Sequence, residues 1–270
     1  MVASVTACRC WKRQPKLIGG FPCWGRNSID RWLRAAEAIA GFWQIRFASG
    51  CGNTDYRNNV IYNWGYNSCY GAEQQQQKGN PRYAFSNINL VANYYKPGPT
   101  TPGEVSYRIA SPSTRNWVAD YGSWYIGENF VAGNAQVSAN NWNGGVQNAD
   151  GVSKPEQPWP AMPINQQSAD EAYALVLENV GATLPKRDPV DTRIVEETRT
   201  VTATFEGATY EQQNRVDDPS KMCGMIDSQN DVGGWPELKS TPAPTDTDHD
   251  GMPDDWETLN GLDRRTDSTQ

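Results

Sequence analysis

The sequence predicts an all-β chain whose short strands coil into a stack. Three segments carry that reading: RNNVIYNW (57–64), SNINLVANYY (86–95) and IGENFVAGN (126–134) each set apolar pairs between asparagines. Asparagine is a poor strand former, so its place beside strand-like runs needs a reason. Stacked turns supply one: like residues lie above one another, side-chain amides bond in ladders, and Val, Ile and Leu fill a dry interior. Asn59, Asn89 and Asn129 are spaced about as the turns of a β-solenoid would be, the last after an insertion. An ordinary antiparallel β-domain with asparagine in its turns shares the pattern.

The elements follow in order. Residues 1–45 read as an atypical, non-native segment, rich in Arg, Trp and Cys, with one short helix near Ser28–Ala40. Residues 46–145 are the strand block, punctuated by Gly, Asn and Pro. Within it, 71–81 and the Pro-rich 96–104 read as surface excursions. Residues 147–165, with four prolines, read as an extended strap along the solenoid. Ser168 and Glu171 form a capping-box pattern, and Ala172, Tyr173, Val176, Leu177 and Val180 give that helix an apolar face ended by Gly181. A second helix is predicted over Asp191–Thr200. Both are expected to brace the solenoid. Trp64, Trp117, Trp124 and Trp142 read as packing residues, Lys186 and Arg187 as partners of the first helix's end or as surface residues, and Trp235 as a packing anchor in the loop 224–238. A linker and an acidic loop fill 240–270, so the predicted division is 1–45, 46–239 and 240–270.

Composition narrows the function. Lys and Arg total 24 against 31 Asp and Glu, a net charge of -7, which argues against nucleic acid as the main partner. No apolar run is long enough to span a bilayer. A single histidine, His249, leaves almost no material for a mechanism built on a Ser–His or Cys–His pair and argues equally against a His-rich zinc site. The 6 cysteines fit export weakly, with Cys51 and Cys69 flanking the first asparagine turn; no signal peptide is visible. Tyrosine and tryptophan, 12 and 11 against 6 Phe, suit sugar faces as well as solenoid surfaces.

The sharpest motif is DTDHDGMPDDWE (246–257). Asp246, Asp248, Asp250, Met252 through its carbonyl, Asp254 and Glu257 fall at the ligand positions of a calcium loop, with Gly251 at the bend. The loop is similar to the isolated calcium loops of thrombospondin type 3 and dockerin-like repeats, and reads as structural.

RFASGCGNTDYRNNVIYNWGYNSCYG (46–71), INLVANYYKPGP (88–99), NWNGGV (141–146), ATLPKRDPVDTRIVEE (182–197) and GMIDSQNDVGGWPEL (224–238) resemble the C-terminal half of bacterial pectate lyases of polysaccharide lyase family 1. The resemblance implies a right-handed parallel β-helix, with its N-terminal turns missing from this chain, and a secreted, calcium-assisted β-elimination of polygalacturonate. It places Arg46 at the second arginine of the family's R-x-P-R motif; Trp43 falls where the catalytic base stands and Ile45 replaces the proline. The family's calcium acids lie on earlier turns, and only Asp30 and Glu37 precede Arg46. Arg57, Tyr95 and Lys96, with Tyr94 beside them, are candidate contacts to a uronate chain; Arg108 is a further candidate. Asn58, Asn59, Asn63, Asn89 and Asn93 are expected to be structural. A non-catalytic pectin-binding solenoid and an inactive fragment are the competing readings. The expected partner is pectin, the expected state a monomer, with association through the open strand edge as the alternative.

Overall fold

The computed structural model describes residues 45–47, 52–72, 86–114, 121–181, 183, 186–208, 222–237 and 242–266, the first three by backbone alone. The segment 1–44, including the helix expected near Ser28, Trp43 and the acids Asp30 and Glu37, lies outside them, as do Cys51, Trp117 and most of 71–81. The chain divides into two compact units, Met1–Trp235 and Pro236–Gln270. That break falls a few residues before the predicted one.

Nine strands form the first unit: β1 (Ile45–Phe47), β2 (Gly52–Arg57), β3 (Val60–Tyr62), β4 (Cys69–Gly71), β5 (Ser86–Val91), β6 (Tyr94–Lys96), β7 (Ser111–Pro112), β8 (Ser123–Gly127) and β9 (Phe130–Val131). Every third strand pairs, always in parallel. Sheet A is β1-β4-β7, sheet B β2-β5-β8 and sheet C β3-β6-β9. The chain visits A, B and C, then returns to A one strand over. An antiparallel domain would pair neighbours in sequence, so that alternative is excluded here. The order is consistent with a parallel β-helix, and a partial further cycle adds parallel bridges from Val146 to Ala110 and from Ser153 to Ser123.

Strand alternation sends one set of side chains inward. In sheet B, Ile88 registers with Trp124 and Leu90 with Ile126; in sheet C, Ile61, Tyr95 and Val131 share a row. All are buried, with Trp64, Cys69, Ile109 and Ala110 completing the core.

The corner from B to C is two residues long and repeats. Asn58, Ala92 and Glu128 occupy the left-handed region, at φ 56°, 50° and 61°. An asparagine follows each. Asn59 Nδ2 donates to Asn93 Oδ1 at 3.0 Å, Asn93 Nδ2 to Asn129 Oδ1 at 2.9 Å, and Asn129 Nδ2 to Asn141 Oδ1 at 3.0 Å. The expected ladder is therefore present, but its middle member is Asn93, not Asn89. Asn89 belongs to sheet B, where its amide donates to Asp55 Oδ1 beside a second pair, Asn87 to Asn53.

The C-terminal part of this unit braces the strands. Helix α1 (Ala135–Ala139) is capped by Asn134. Helix α2 (Ala169–Asn179) begins with the capping box of Ser168 and Glu171, as its sequence predicts. Arg187 returns to donate to the carbonyls of Val180 and Glu178 at its end. Helix α3 (Pro189–Thr200) starts two residues before the predicted helix, capped by Asp188 with proline at the first helical position. Two expectations fail. Thr100 is 1% exposed rather than part of a surface excursion, because its amide and hydroxyl bond Asn63 Oδ1 and the Cys223 carbonyl. Trp235 is 69% exposed, too open for the packing anchor expected there.

Candidate functional site

The strap and the helices decide which sheet a ligand can reach. Residues 154–167 have no regular structure and run over the outer side of sheet B. Asn89 binds the Trp159 backbone through both its carbonyl oxygen and its amide. Asn58 does the same with Gln167. Arg57 donates to Gln166 and holds Asp55 in an ion pair. Asn89, an outward-row residue, is 1% exposed as a result.

Sheet C is covered by α2 and α3. Tyr173 stacks on Tyr94 at 4.2 Å, and Tyr94 packs on Phe130 at 4.9 Å. Lys96 Nζ donates to Tyr173 Oη and to the Arg199 carbonyl, both at 2.9 Å. Tyr62 Oη donates to the Thr202 carbonyl; burial lifts its pKa, with Glu197 and Tyr173 adding to the rise.

These contacts correct the expected substrate residues. Tyr95 points inward at 0% exposure, edge-on to Trp64 at 5.9 Å, and its hydroxyl is buried without a partner. It cannot stack on a sugar. Lys96 is a tether for the helices and Arg57 a tether for the strap. Arg57 also lies on the same cycle as Arg46 in a different sheet, so the two do not share a face.

Sheet A differs. The described hydrogen bonds from strap and helices go to sheets B and C, the corner between them and the loops just past sheet C. In the register of sheet A, Arg46 pairs with Tyr70 and Tyr70 with Ser111. Cys69 and Ala110, one residue back, are buried in the core, so Tyr70 and Ser111 belong to the outward row. Tyr70 is half-buried, and Ser111 Oγ accepts from Asn148 of the partial cycle. Beside the row, Arg108 donates through Nε to Gln147 Oε1 and through Nη1 to the Tyr66 carbonyl and Asn67 Oδ1. Tyr70 and Asn67 were not singled out by sequence; only knowledge of which strand lies beside β1 could have found them.

In the second unit, ligand atoms of Asp246, Asp248 and Asp250 lie within 4.8 Å of one another. The loop is preformed by its own backbone: Asp246 accepts from the amides of His249 and Gly251, and Asp250 from that of Met252. Gly251 takes φ 91° at the bend. Asp254 starts helix α4 (Asp254–Asn260) and accepts from the Thr247 amide and hydroxyl, both at 2.7 Å; the hydroxyl bond leads in lowering its pKa. Glu257 is 0% exposed, and both its carboxylate oxygens, like both of Asp248, are buried without a partner. Desolvation raises the pKa of each, reinforced at Asp248 by Asp250 and at Glu257 by Asp248. Buried orphan carboxylates converging with two further acids fit an oxygen-seeking divalent cation. Met252 is half-buried at the carbonyl-ligand position of the loop.

No family model matches the chain. Among curated proteins it is similar to "Probable pectate lyase C" of Aspergillus flavus, 28% identical over 219 residues. The proteins of that name from Emericella nidulans and Aspergillus terreus are 29% and 30% identical over 224 residues. The matches cover 80–81% of this chain, which spans only 44% of the length of each relative. These relatives are fungal, whereas the sequence motifs pointed to bacterial members. No described helix is long and apolar enough to cross a membrane.

Proposed function

We propose that the first unit is part of a right-handed parallel β-helix of the pectate lyase kind, acting on polygalacturonate by β-elimination with sheet A as the polymer-binding face. The observation that carries the reading is the division of labour among the sheets: the strap is bonded to B and the helices to C, while the Arg46 row lies on A. The curated relatives support the substrate class by name.

In such an elimination a base takes the proton on C5, next to the uronate carboxylate. The C4–O bond then breaks, a C4–C5 double bond forms, and the leaving oxygen takes a proton. Arg46 contributes positive charge where the enolate-like charge develops. A guanidinium seldom gives up its proton in water, so charge stabilisation is the role its chemistry favours. Tyr70, one strand along, offers an aromatic face for a sugar ring. A polymer too large to enter cells implies an extracellular setting. The elimination is calcium-assisted in this reading, and the C-terminal loop, with Asp246, Asp248, Asp250, Asp254, Glu257 and the Met252 carbonyl, would hold a separate, structural calcium.

Incubation with polygalacturonate tests the proposal: an unsaturated product absorbing in the ultraviolet supports it, and an Arg46→Gln variant should lose that product. Binding without product would select the second reading, a pectin-binding solenoid, which Trp43 at the family's base position favours.

A further inference from the structure

We propose that Arg108 is a specificity residue that binds a uronate carboxylate two strands along sheet A from Arg46. The inference rests on sheet A being the polymer face. Arg108 is half-buried, and its Nε and Nη1 bonds all go to neutral acceptors: the Gln147 side chain, the Tyr66 carbonyl and the Asn67 side chain. The other described, partly buried arginines do other work. Arg57 and Arg193 pair with Asp55 and Glu197, and Arg187 caps a helix end. Arg108 alone among them combines partial burial with no carboxylate bonded and no helix end to satisfy, and its Nη2 donors have no described partner. Burial pulls its pKa down, against the smaller, opposing pull of Tyr107 and the Glu104 carboxylate.

Its position fits a track. Tyr66 and Asn67 precede β4, Arg108 precedes β7, and Gln147 follows Val146, which bridges to Ala110. Three bonds to the two cycles flanking its own fix the guanidinium at the entry edge of sheet A. Two strand spacings, about 10 Å, separate its cycle from that of Arg46. A polyuronate presents carboxylates repeatedly along its length, so a fixed donor pair at that remove reads the charge of a sugar beyond the one that reacts. A planar guanidinium with two donors left over suits a carboxylate and has no comparable match in its methyl ester.

The test is calorimetric titration of the full chain with a defined oligogalacturonate and with its methyl ester. Arg108→Gln is expected to weaken binding of the free acid by about tenfold and to leave the ester unchanged. Because Arg108 ties three cycles together, Asn67→Asp provides a second variant: an internal carboxylate beside Arg108 should weaken binding several-fold with the melting temperature kept or raised. Acid binding unchanged in Asn67→Asp, while Tyr70→Ala weakens it, would overturn the role of Arg108 and leave sheet A as the binding face. Absence of any oligogalacturonate binding by the unaltered chain would overturn both.

Discussion

Removing the middle of the corner ladder is expected to be far more costly than removing its end. Asn93 is 0% exposed. Its Oδ1 accepts from the Asn59 amide and side chain, and its Nδ2 donates to the Tyr56 carbonyl and Asn129 Oδ1. In Asn93→Ala, Asn59 Nδ2 keeps the Arg57 carbonyl and Asn129 Oδ1 keeps the Asn93 amide. The Asn59 amide and the Tyr56 carbonyl lose these partners. At about 1–3 kcal/mol for each buried group that loses a bond, the loss is about 4 kcal/mol. Asn59→Ala, at the half-buried end, strands nothing comparable and should cost about 1 kcal/mol. Urea unfolding followed by tryptophan fluorescence measures both, since Trp64 and Trp124 lie in this core. Equal losses in the two variants, or a loss under 1 kcal/mol for Asn93→Ala, would refute the argument that the ladder is a cooperative stack.

Tyr95→Phe is expected to stabilise the chain by about 1 kcal/mol, because it removes a buried hydroxyl without a partner, and to leave oligogalacturonate binding unchanged in calorimetry. Ala92→Gly should gain about 0.5–1 kcal/mol in the same urea assay, since a residue with a Cβ pays for φ 50° and glycine does not. Lys96→Met should lower the melting temperature by loosening α2 and α3 while polymer affinity stays within about twofold, a pattern a substrate residue would not give. Calcium affinity of the C-terminal loop should fall as pH drops, beginning above the ordinary carboxylate range. Asp248 and Glu257 hold their protons more tightly than usual, and a bound cation needs both ionised. By the same sign, those two carboxyls favour the metal-free loop at low pH, where they are neutral, and that contribution is lost as pH rises, while Asp254, whose pKa is lowered, acts in the opposite direction. Titration calorimetry at several pH values reads the first effect, and Glu257→Gln should weaken calcium binding at every pH.

Periodicity made the stacked strands legible, because amides bracketing apolar pairs make sense only where like residues align. It misassigned one ladder member. Asn89 and Asn93 both follow Asn59 at about one cycle, and only the pairing register, Asp55 with Asn89, separates a strand residue from a corner residue. Tyr94 and Tyr95 show the same limit. In a three-residue strand, alternation says that one faces out and the other in, but not which; Ile61 and Val131 settle it by sharing the inner row with Tyr95. Local signals fared better: Ser168 with Glu171, Gly251 at the acidic bend and Arg187 at a helix end need no knowledge of distant chain. The candidate site was hidden for the opposite reason. Arg57 and Lys96 look like exposed basic residues until a strap and a helix more than seventy residues away settle on them. Arg108 looks ordinary until its three partners prove to be neutral.

Hydrogen–deuterium exchange of the chain with and without oligogalacturonate bears most directly on the polymer lying along sheet A. The account expects added protection in 66–72 and 105–113, with 57–62, 94–96 and the strap 154–167 unchanged. Protection concentrated in the strap and sheets B and C, with sheet A unaffected, would contradict it.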